Sequence, residues 1–184
     1  MQNHILPLTD NLKFLGVILT RANSFKLSWN EAKSKFFISA NTIVGRLGAS
    51  APLNTLIKLV NTHGLQNLLY ATASVSLGQS EINNLDFSYN SFFSKIFKTK
   101  SQQIITECFF FCGILPFYLQ YDFQRYTFLK KIFLQGFLSV ESAADASDLE
   151  DMTKIQSRYA LSFSDSPRVL REKFWSWFTN KVAV

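Results

Sequence analysis

Apolar residues recur three or four positions apart along most of this chain, which is the spacing of one face of an α-helix. The first such stripe starts at Trp29 and continues to Leu47, and Gly45 and Gly48 favour the end of a helix there. Similar stripes behind helix-starting residues predict further helices at Ser50–Gly64, Leu65–Ala73, Ser80–Ile96, Ser101–Gly113, Pro116–Val140, Ser147 onward and Ser166 onward. The pattern therefore predicts a mainly α protein.

A short run near the start of the chain has a different pattern. Leu12–Leu19 is rich in β-branched and aromatic residues and contains Gly16, which predicts a strand packed closely on another backbone. A single strand leaves its backbone groups unsatisfied, so either Ile5–Leu8 pairs with it as a hairpin or its partners lie in sequence outside this chain. We therefore expect a short N-terminal strand or hairpin, followed by a helical bundle and a helical C-terminal extension.

With 184 residues, of which 47% are hydrophobic, the chain is large enough to form a core. Its net charge is +6, but residues 141–151 contribute −5, which leaves +11 on the remainder. Within that acidic segment, Ala and Ser replace aromatic residues over Glu141–Ser147, which predicts a linker. The positive excess favours a polyanionic partner, either nucleic acid or an anionic membrane surface, and a merely solubilising charge is the alternative.

Patterns typical of catalytic and metal sites are missing from the sequence. Two-metal phosphoryl transfer needs converging carboxylates, and the chain has no paired Asp-Asp on a strand. Asp148, Glu150 and Asp151 are close together, but acidic residues at the start of a helix commonly cap it. Cys108 and Cys112 lie one helical turn apart among phenylalanines, which indicates core thiols rather than zinc ligands. We therefore predict no catalytic residue, no metal and no cofactor in this chain.

Basic residues are concentrated in the first two predicted helices. Residues 21–58 contain six Lys or Arg and one Glu, and such charges bind phosphates by releasing counterions. Lys35 and Arg46 are eleven residues apart, close to three helical turns, so they share a face opposite the apolar stripe. Lys33, Lys35, Arg46 and Lys58 are the predicted phosphate contacts, and an ordinary solvated helix face is the alternative.

Trp175 and Trp177 in the last predicted helix are two residues apart and do not share a face. One of them is therefore expected to be exposed. An exposed tryptophan in a basic helix stacks on a base or binds a partner, unless the end of the helix frays.

The longest apolar run, Cys108–Leu119, has twelve residues, whereas a transmembrane helix needs about 20. No transmembrane segment is therefore expected. Two cysteines without a visible secretory signal favour an intracellular location, nuclear or cytoplasmic.

Four blocks of sequence, taken in order, are similar to the C-terminal part of LINE-type, or non-LTR, retrotransposon reverse transcriptases. Phe14-Leu15-Gly16-Val17 resembles the strand block beside the primer terminus at the end of the palm. Trp29-Asn30-Glu31-Ala32-Lys33 resembles the tryptophan-led helix that begins the thumb, and Leu68-Leu69-Tyr70 and Leu85–Phe97 resemble two later blocks. The resemblance covers about residues 10–120.

This resemblance implies three parts of the chain: a remnant of the palm edge at 1–22, a helical thumb and following helices at 23–140, and an acidic linker with C-terminal helices at 141–184. The parent protein would be an RNA-directed DNA polymerase, whose divalent metal belongs to a palm that this chain lacks. Without the catalytic Asp motif, the fragment would not be an enzyme on its own.

The resemblance also implies partners. Phe14, Leu15 and Gly16 would mark the primer side, and the helical thumb would grip an RNA–DNA or DNA duplex beside the missing palm and fingers. The alternative is a basic helical interaction or membrane-surface module that uses Pro116–Val140 and the last helix and has no nucleic-acid role.

Overall fold

The computed structural model describes residues 10–14, 17–21, 26–48, 50–134 and 146–182. The strands are β1 (Asn11–Phe14), β2 (Val17–Thr20) and β3 (Lys26–Ser28). The helices are α1 (Asn30–Leu47), α2 (Leu53–Leu59), α3 (Leu65–Leu69), α4 (Gln79–Ile96), α5 (Gln102–Phe111), α6 (Phe117–Leu134), α7 (Ala146–Tyr159) and α8 (Pro167–Val182). A π-helical segment, Val60–Gly64, joins α2 to α3. The predicted mainly α fold with a short N-terminal hairpin is confirmed.

The three strands form an antiparallel sheet in the order β1, β2, β3. Phe14 lies opposite Val17, so the run predicted as one strand is two strands that pair with each other. β3 pairs with the other edge of β2, where Ile18 lies opposite Ser28. The prediction of a single strand over Leu12–Leu19 was wrong. The backbone groups of β2 pair with β1 inside the same run on one side and with β3 on the other. Ile5–Leu8, the other expected partner, lies outside the described residues.

α1 packs along α2, the π-helical segment and α3, which follow one another without a break. Gly64 was expected to end a helix, but the chain continues through it. A Cβ on Gly64 would lie 3.5 Å from the ring of Phe36, so α1 approaches the π-helical segment closely there. Gly45 likewise lies inside α1, which ends at Leu47. A glycine inside a helix costs about 1 kcal/mol, and burial of a phenylalanine side chain contributes more than that.

Aromatic rings from three helices form the centre of the core. Between ring centroids, Tyr89 of α4 lies 4.8 Å from Phe93, 5.5 Å from Phe109 of α5 and 6.1 Å from Phe36 of α1. All four side chains are buried. The hydroxyl of Tyr89 donates to Asn61 Oδ1 at 2.9 Å, which satisfies the one polar atom of this cluster. Aromatic pairs at these separations add about 0.5–1.5 kcal/mol each beyond the burial of apolar area.

α7 and α8 pack against α6, and α8 also packs against α5, so they share one continuous core with the rest of the described helices. α7 starts at Ala146, and its bounds include Ser147, so the last two residues of the predicted linker are helical. Residues 141–145 lie outside the described part of the chain.

Both tryptophans of α8 are packed against neighbouring rings. Trp175 stacks on Phe110 of α5 with centroids 6.0 Å apart, and Trp177 meets Tyr159 of α7 edge-on at 5.2 Å. Each is half-buried. The prediction of one exposed tryptophan was wrong because α8 has neighbours on two sides, which cover both residues.

Several helix ends follow from local chemistry. Ser101 and Ser166 accept hydrogen bonds from backbone N–H groups three residues ahead, which confirms these two predicted helix starts. Just after the ends of α4 and α7, one residue has left-handed backbone, Lys98 (φ 53°) and Ala160 (φ 50°) respectively. In both, the next N–H bonds back to a carbonyl five residues earlier, an arrangement in which glycine is the preferred residue.

Candidate nucleic-acid interface

A polar stripe runs along one face of α1. Lys35, Ser39, Thr42 and Arg46 recur at intervals of three and four residues, so they share this face, and the two cations lie about 16 Å apart along the helix. Arg46 is exposed and has no acidic partner among the described residues. We call these four residues the α1 stripe. It brings two of the four predicted phosphate contacts to one face.

Glu31 partly neutralises the start of the α1 stripe. Its Oε1 atom accepts a hydrogen bond from Lys13 Nζ of β1 at 2.6 Å and lies 2.9 Å from Lys35 Nζ. The ammonium groups of Lys13 and Lys35 hold the pKa of Glu31 below its usual range. Since two cations share one carboxylate, the cluster keeps one positive charge, and Lys35 remains half exposed.

The other two predicted phosphate contacts lie away from this stripe. Lys33 is about 200° around α1 from Lys35, and its ammonium donates to Asn84 Oδ1 of α4 at 3.0 Å. Lys33 therefore ties α1 to α4. Lys58 is exposed on α2 and, within the described ranges, has no acidic partner.

Of the three residues predicted to mark the primer side, Phe14 ends β1. Leu15 and Gly16 lie outside the described residues. β1 is an outer strand of the sheet, and Leu12 on it is 56% exposed. In the part of the chain that the structure describes, β1 therefore has one open edge with an exposed apolar side chain.

A pocket of about 350 Å³ opens between the start of α1 and the end of α3. It is lined by Ser28, Trp29, Ala32, Lys35, Gln66, Asn67 and Tyr70. Trp29 is buried, and its indole N–H donates to Glu81 Oε1 at 3.1 Å, whereas Tyr70 is 58% exposed. We call this space the α1–α3 pocket. It adjoins the α1 stripe at Lys35, and sequence reasoning missed it because its walls come from segments more than thirty residues apart.

Among the described residues, Arg125 of α6 is the largest side chain that is fully buried. Its guanidinium contacts Asp148 and also donates to Asp151 Oδ2 at 3.2 Å, both on α7, and to the Ala73 carbonyl at 3.0 Å. Two of the three acids predicted to cap a helix start therefore bind a buried cation, and the third, Glu150, pairs with exposed Lys154. This contact is unavailable to sequence reasoning, since 23 residues and a predicted linker separate Arg125 from Asp148.

A second polar cluster joins α6 to α7. Asp122 Oδ2 accepts from the hydroxyl of Tyr159 at 2.6 Å and from Arg158 Nη1 at 3.0 Å. Burial raises the pKa of the Asp122 carboxyl above its usual range, although both partners oppose the rise. With the Arg125 cluster, these contacts explain how a polar helix such as α7 is held against the core.

The carboxyl of Asp86 on α4 is largely buried, and its hydrogen bonds are incomplete among the described residues. Its Oδ2 accepts from Asn90 Nδ2 at 2.7 Å, but Asp86 Oδ1 and Asn90 Oδ1 are buried without a donor among the described residues. Burial raises the pKa of Asp86 to about 6, against the opposing effects of the Tyr118 backbone N–H and of Asn90. Lys181 and Glu107 line the same cavity.

The two cysteines are free thiols and half-buried. Burial raises the pKa of Cys112, with a smaller contribution from Cys108. No cluster of three or more His, Cys, Asp or Glu side chains suited to a metal occurs in the described residues. Asp148 and Asp151 are occupied by Arg125 instead.

Comparison with known proteins finds no matching protein family, no similar curated protein and no similar solved structure. Among the described helices, none is both long enough and apolar enough to cross a membrane.

Proposed function

We propose that this chain is a nucleic-acid-binding helical module that grips an RNA–DNA or DNA duplex through the α1 stripe. The observation that carries the proposal is the placement of Lys35 and Arg46 on one helix face, about 16 Å apart, with Arg46 lacking an acidic partner in the described residues. Duplex DNA carries one phosphate per roughly 3.4 Å along each strand, so a stripe of this length spans several phosphates. Ser39 adds a hydroxyl group between the two cations, whereas the hydroxyl of Thr42 donates to the Ile38 carbonyl at 2.7 Å.

The resemblance to LINE-type reverse transcriptases supplies the context of the proposal. The parent protein is proposed to be an RNA-directed DNA polymerase, with this chain as its thumb and the missing palm beyond the open edge of β1. Phe14, Leu15 and Gly16 then mark the primer side. The proposed role of the chain itself is binding without catalysis, and the polymerase chemistry belongs to the missing palm.

A salt titration with matched charge variants tests the proposal. Each phosphate that a cation neutralises contributes about −0.9 to the slope of log K against log salt concentration. The double variant Lys35→Glu and Arg46→Glu is expected to weaken binding of a blunt RNA–DNA duplex and to make the slope shallower by about 2. Affinity is measured by fluorescence anisotropy, and far-UV circular dichroism confirms that the variants fold.

The control is the double variant Lys154→Glu and Arg168→Glu, which changes the net charge equally. Both cations are exposed on α7 and α8, and among the described residues their ion pairs are with Glu150 and Glu172 one turn away, so their loss changes stability little. If the control weakens binding as much as the stripe variant, attraction is non-specific and the α1 stripe is not the interface. An affinity for the duplex that does not fall with salt also contradicts the proposal.

One observation favours the alternative of a membrane-surface or interaction module. Phe111 is 82% exposed and Ile104 47% exposed, and their spacing of seven residues places them on one face of α5. In the helices that the sequence favours for this role, α6 and α8, every large apolar side chain except Leu134 is buried or half-buried. Co-sedimentation with anionic liposomes, lost in Phe111→Ser and without any duplex binding, would support this alternative instead.

A further inference from the structure

The α1–α3 pocket has one wall, formed by Trp29, that a hydrogen bond holds in place. The indole of Trp29 is held by its hydrogen bond to Glu81 across the α1–α4 contact. Lys35 reaches the pocket from the α1 stripe, and Gln66 and Asn67 reach it from α3. Pockets of roughly 300–1,000 Å³ with a few convergent polar groups are the usual size for small ligands, and this one is at the lower end of that range.

Tyr70 is presented at this pocket by a rigid turn. The residue after it, Ala71, has left-handed backbone (φ 62°), which is strained for any side chain with a Cβ. The turn is held by the hydroxyl of Ser74, which donates to the Ala71 carbonyl at 2.8 Å, and by that of buried Thr72, which donates to the Leu69 carbonyl at 2.8 Å. A large aromatic ring that is more than half exposed on such a turn is pre-positioned to stack on a planar ligand.

The amide side chains supply the polar groups that a base edge needs. Asn67 uses Nδ2 to donate to the His63 carbonyl at 3.3 Å, which leaves its Oδ1 as an acceptor. Gln66 is exposed and makes no side-chain hydrogen bond within the described residues, so it offers both a donor and an acceptor. The half-exposed ammonium of Lys35, which shares Glu31 with Lys13, provides a positive charge at the same site.

We propose that the α1–α3 pocket binds one unpaired nucleotide of a nucleic-acid strand, with the base stacked on Tyr70, its edge facing Gln66 and Asn67, and its phosphate at Lys35. This inference rests on the proposed function and deepens it, because it adds recognition of a single-stranded end to the grip on the duplex. The pocket and the α1 stripe share Lys35, so a strand that follows the stripe reaches the pocket at the start of α1.

The test compares two ligands, a blunt RNA–DNA duplex and the same duplex with a three-nucleotide single-stranded overhang that carries 2-aminopurine. Tyr70→Ala is expected to lower affinity for the overhang duplex about tenfold, the effect of losing one stacked base, and to leave the blunt duplex unchanged. Tyr70→Phe keeps the ring and is expected to bind as the natural protein does. Stacking also quenches the 2-aminopurine fluorescence, and Tyr70→Ala is expected to restore it.

Phe111→Ala is the matched control, since Phe111 is an even more exposed aromatic side chain and lies on α5, outside the pocket. Gln66→Ala is a second pocket variant that leaves the turn at Tyr70 intact. The inference is overturned if Tyr70→Ala binds the overhang duplex as tightly as the natural protein, or if Phe111→Ala loses as much.

These outcomes separate the pocket from the duplex grip. If the blunt duplex binds with the expected salt dependence while Tyr70→Ala has no effect, the proposed function stands and the pocket does not. If only single-stranded ends bind, and Tyr70→Ala abolishes that binding, the pocket stands and the duplex grip fails. Absence of binding to either ligand overturns both.

Discussion

Replacing Asp86 by asparagine is expected to stabilise the protein at neutral pH. The carboxyl lies between Asn90 of its own helix and Tyr118 of α6, and its Oδ1 has no donor among the described residues. An ionised carboxylate only accepts hydrogen bonds, whereas a carboxamide of nearly the same shape both donates and accepts. Asp86→Asn therefore removes a partly desolvated charge without opening a cavity.

The magnitude follows from the pKa. Burial raises the pKa of Asp86 from 3.8 to about 6, so the folded protein binds this proton more tightly than the unfolded chain. The stability that the proton contributes is complete below about pH 3.8 and is lost as the pH rises through 6. At about 1.36 kcal/mol per pKa unit, ionised Asp86 costs about 3 kcal/mol above this range, and the partial exposure of the side chain reduces our expectation to about 2 kcal/mol. Asp86→Asn avoids this cost.

Thermal unfolding at pH 4 and at pH 7.5 measures the effect. The melting temperature of Asp86→Asn is expected to exceed that of the natural protein by about 4–8 °C at pH 7.5, and by little at pH 4. Asp165→Asn is the control for sign, because the nearby Lys173 ammonium, 2.7 Å away, lowers the pKa of Asp165, and the variant is expected to be less stable at neutral pH. An Asp86→Asn protein that melts at or below the natural temperature at pH 7.5 would refute the reasoning.

Two further predictions concern stability. Arg125→Met leaves Asp148 and Asp151 without their buried cation and is expected to lower the free energy of unfolding in urea by about 3–5 kcal/mol. Part of this loss is expected to return when both acids are changed to asparagine. A loss below about 1 kcal/mol would contradict the assigned contacts. Lys98→Gly is expected to raise the free energy of unfolding by about 1 kcal/mol because glycine adopts the left-handed backbone without strain. Lys95→Gly, inside the last turn of α4, is expected to lower the free energy of unfolding by a similar amount. Equal effects of the two variants in thermal melts would rule out the strain.

The helices could be predicted from sequence where a local signal and the packing agree. Ser101 and Ser166 start helices because their side-chain oxygens accept hydrogen bonds from backbone N–H groups in the first turn, directly before an apolar stripe that packs on the core. Gly64 was a poor signal of a helix end because a glycine destabilises a helix interior by only about 1 kcal/mol. Its contact with Phe36 is a tertiary interaction between residues 28 positions apart, which the neighbouring sequence does not show. The run Leu12–Leu19 failed for a related reason: hydrophobic content predicts strand but does not show where a strand turns back on itself.

The candidate site was predictable only in part. Helical geometry alone places Lys35 and Arg46 on one face, and the same geometry places Lys33 on another face, so its separation from the stripe is predictable from spacing. The Arg125 cluster had a weak signal, since Asp122 and Arg125 occupy positions next to Tyr126 and Leu129 on the face of α6 that is buried. Charged residues in such positions need partners, but the identity of the partners depends on how α7 docks.

The ion pairs of this basic protein show which of its cations are already engaged and which can bind a polyanion. The cations of α6, α7 and α8 that face acidic groups are engaged: Arg125 with two aspartates, Arg158 with Asp122, and Lys173 with Asp165. Exposed cations without an acidic partner in the described residues occur in three places: on α1 and α2, at the end of α4, and on the C-terminal side at Lys131, Arg171 and Lys181. The acidic residues near α7 thus offset part of the C-terminal charge, and α1, α2 and the end of α4 keep exposed cations that can face a phosphate backbone. A binding site that used Arg125, Arg158 or Lys173 would first have to break an ion pair whose carboxylate is largely buried, whereas a site on the α1 stripe displaces Lys35 from a more exposed pair.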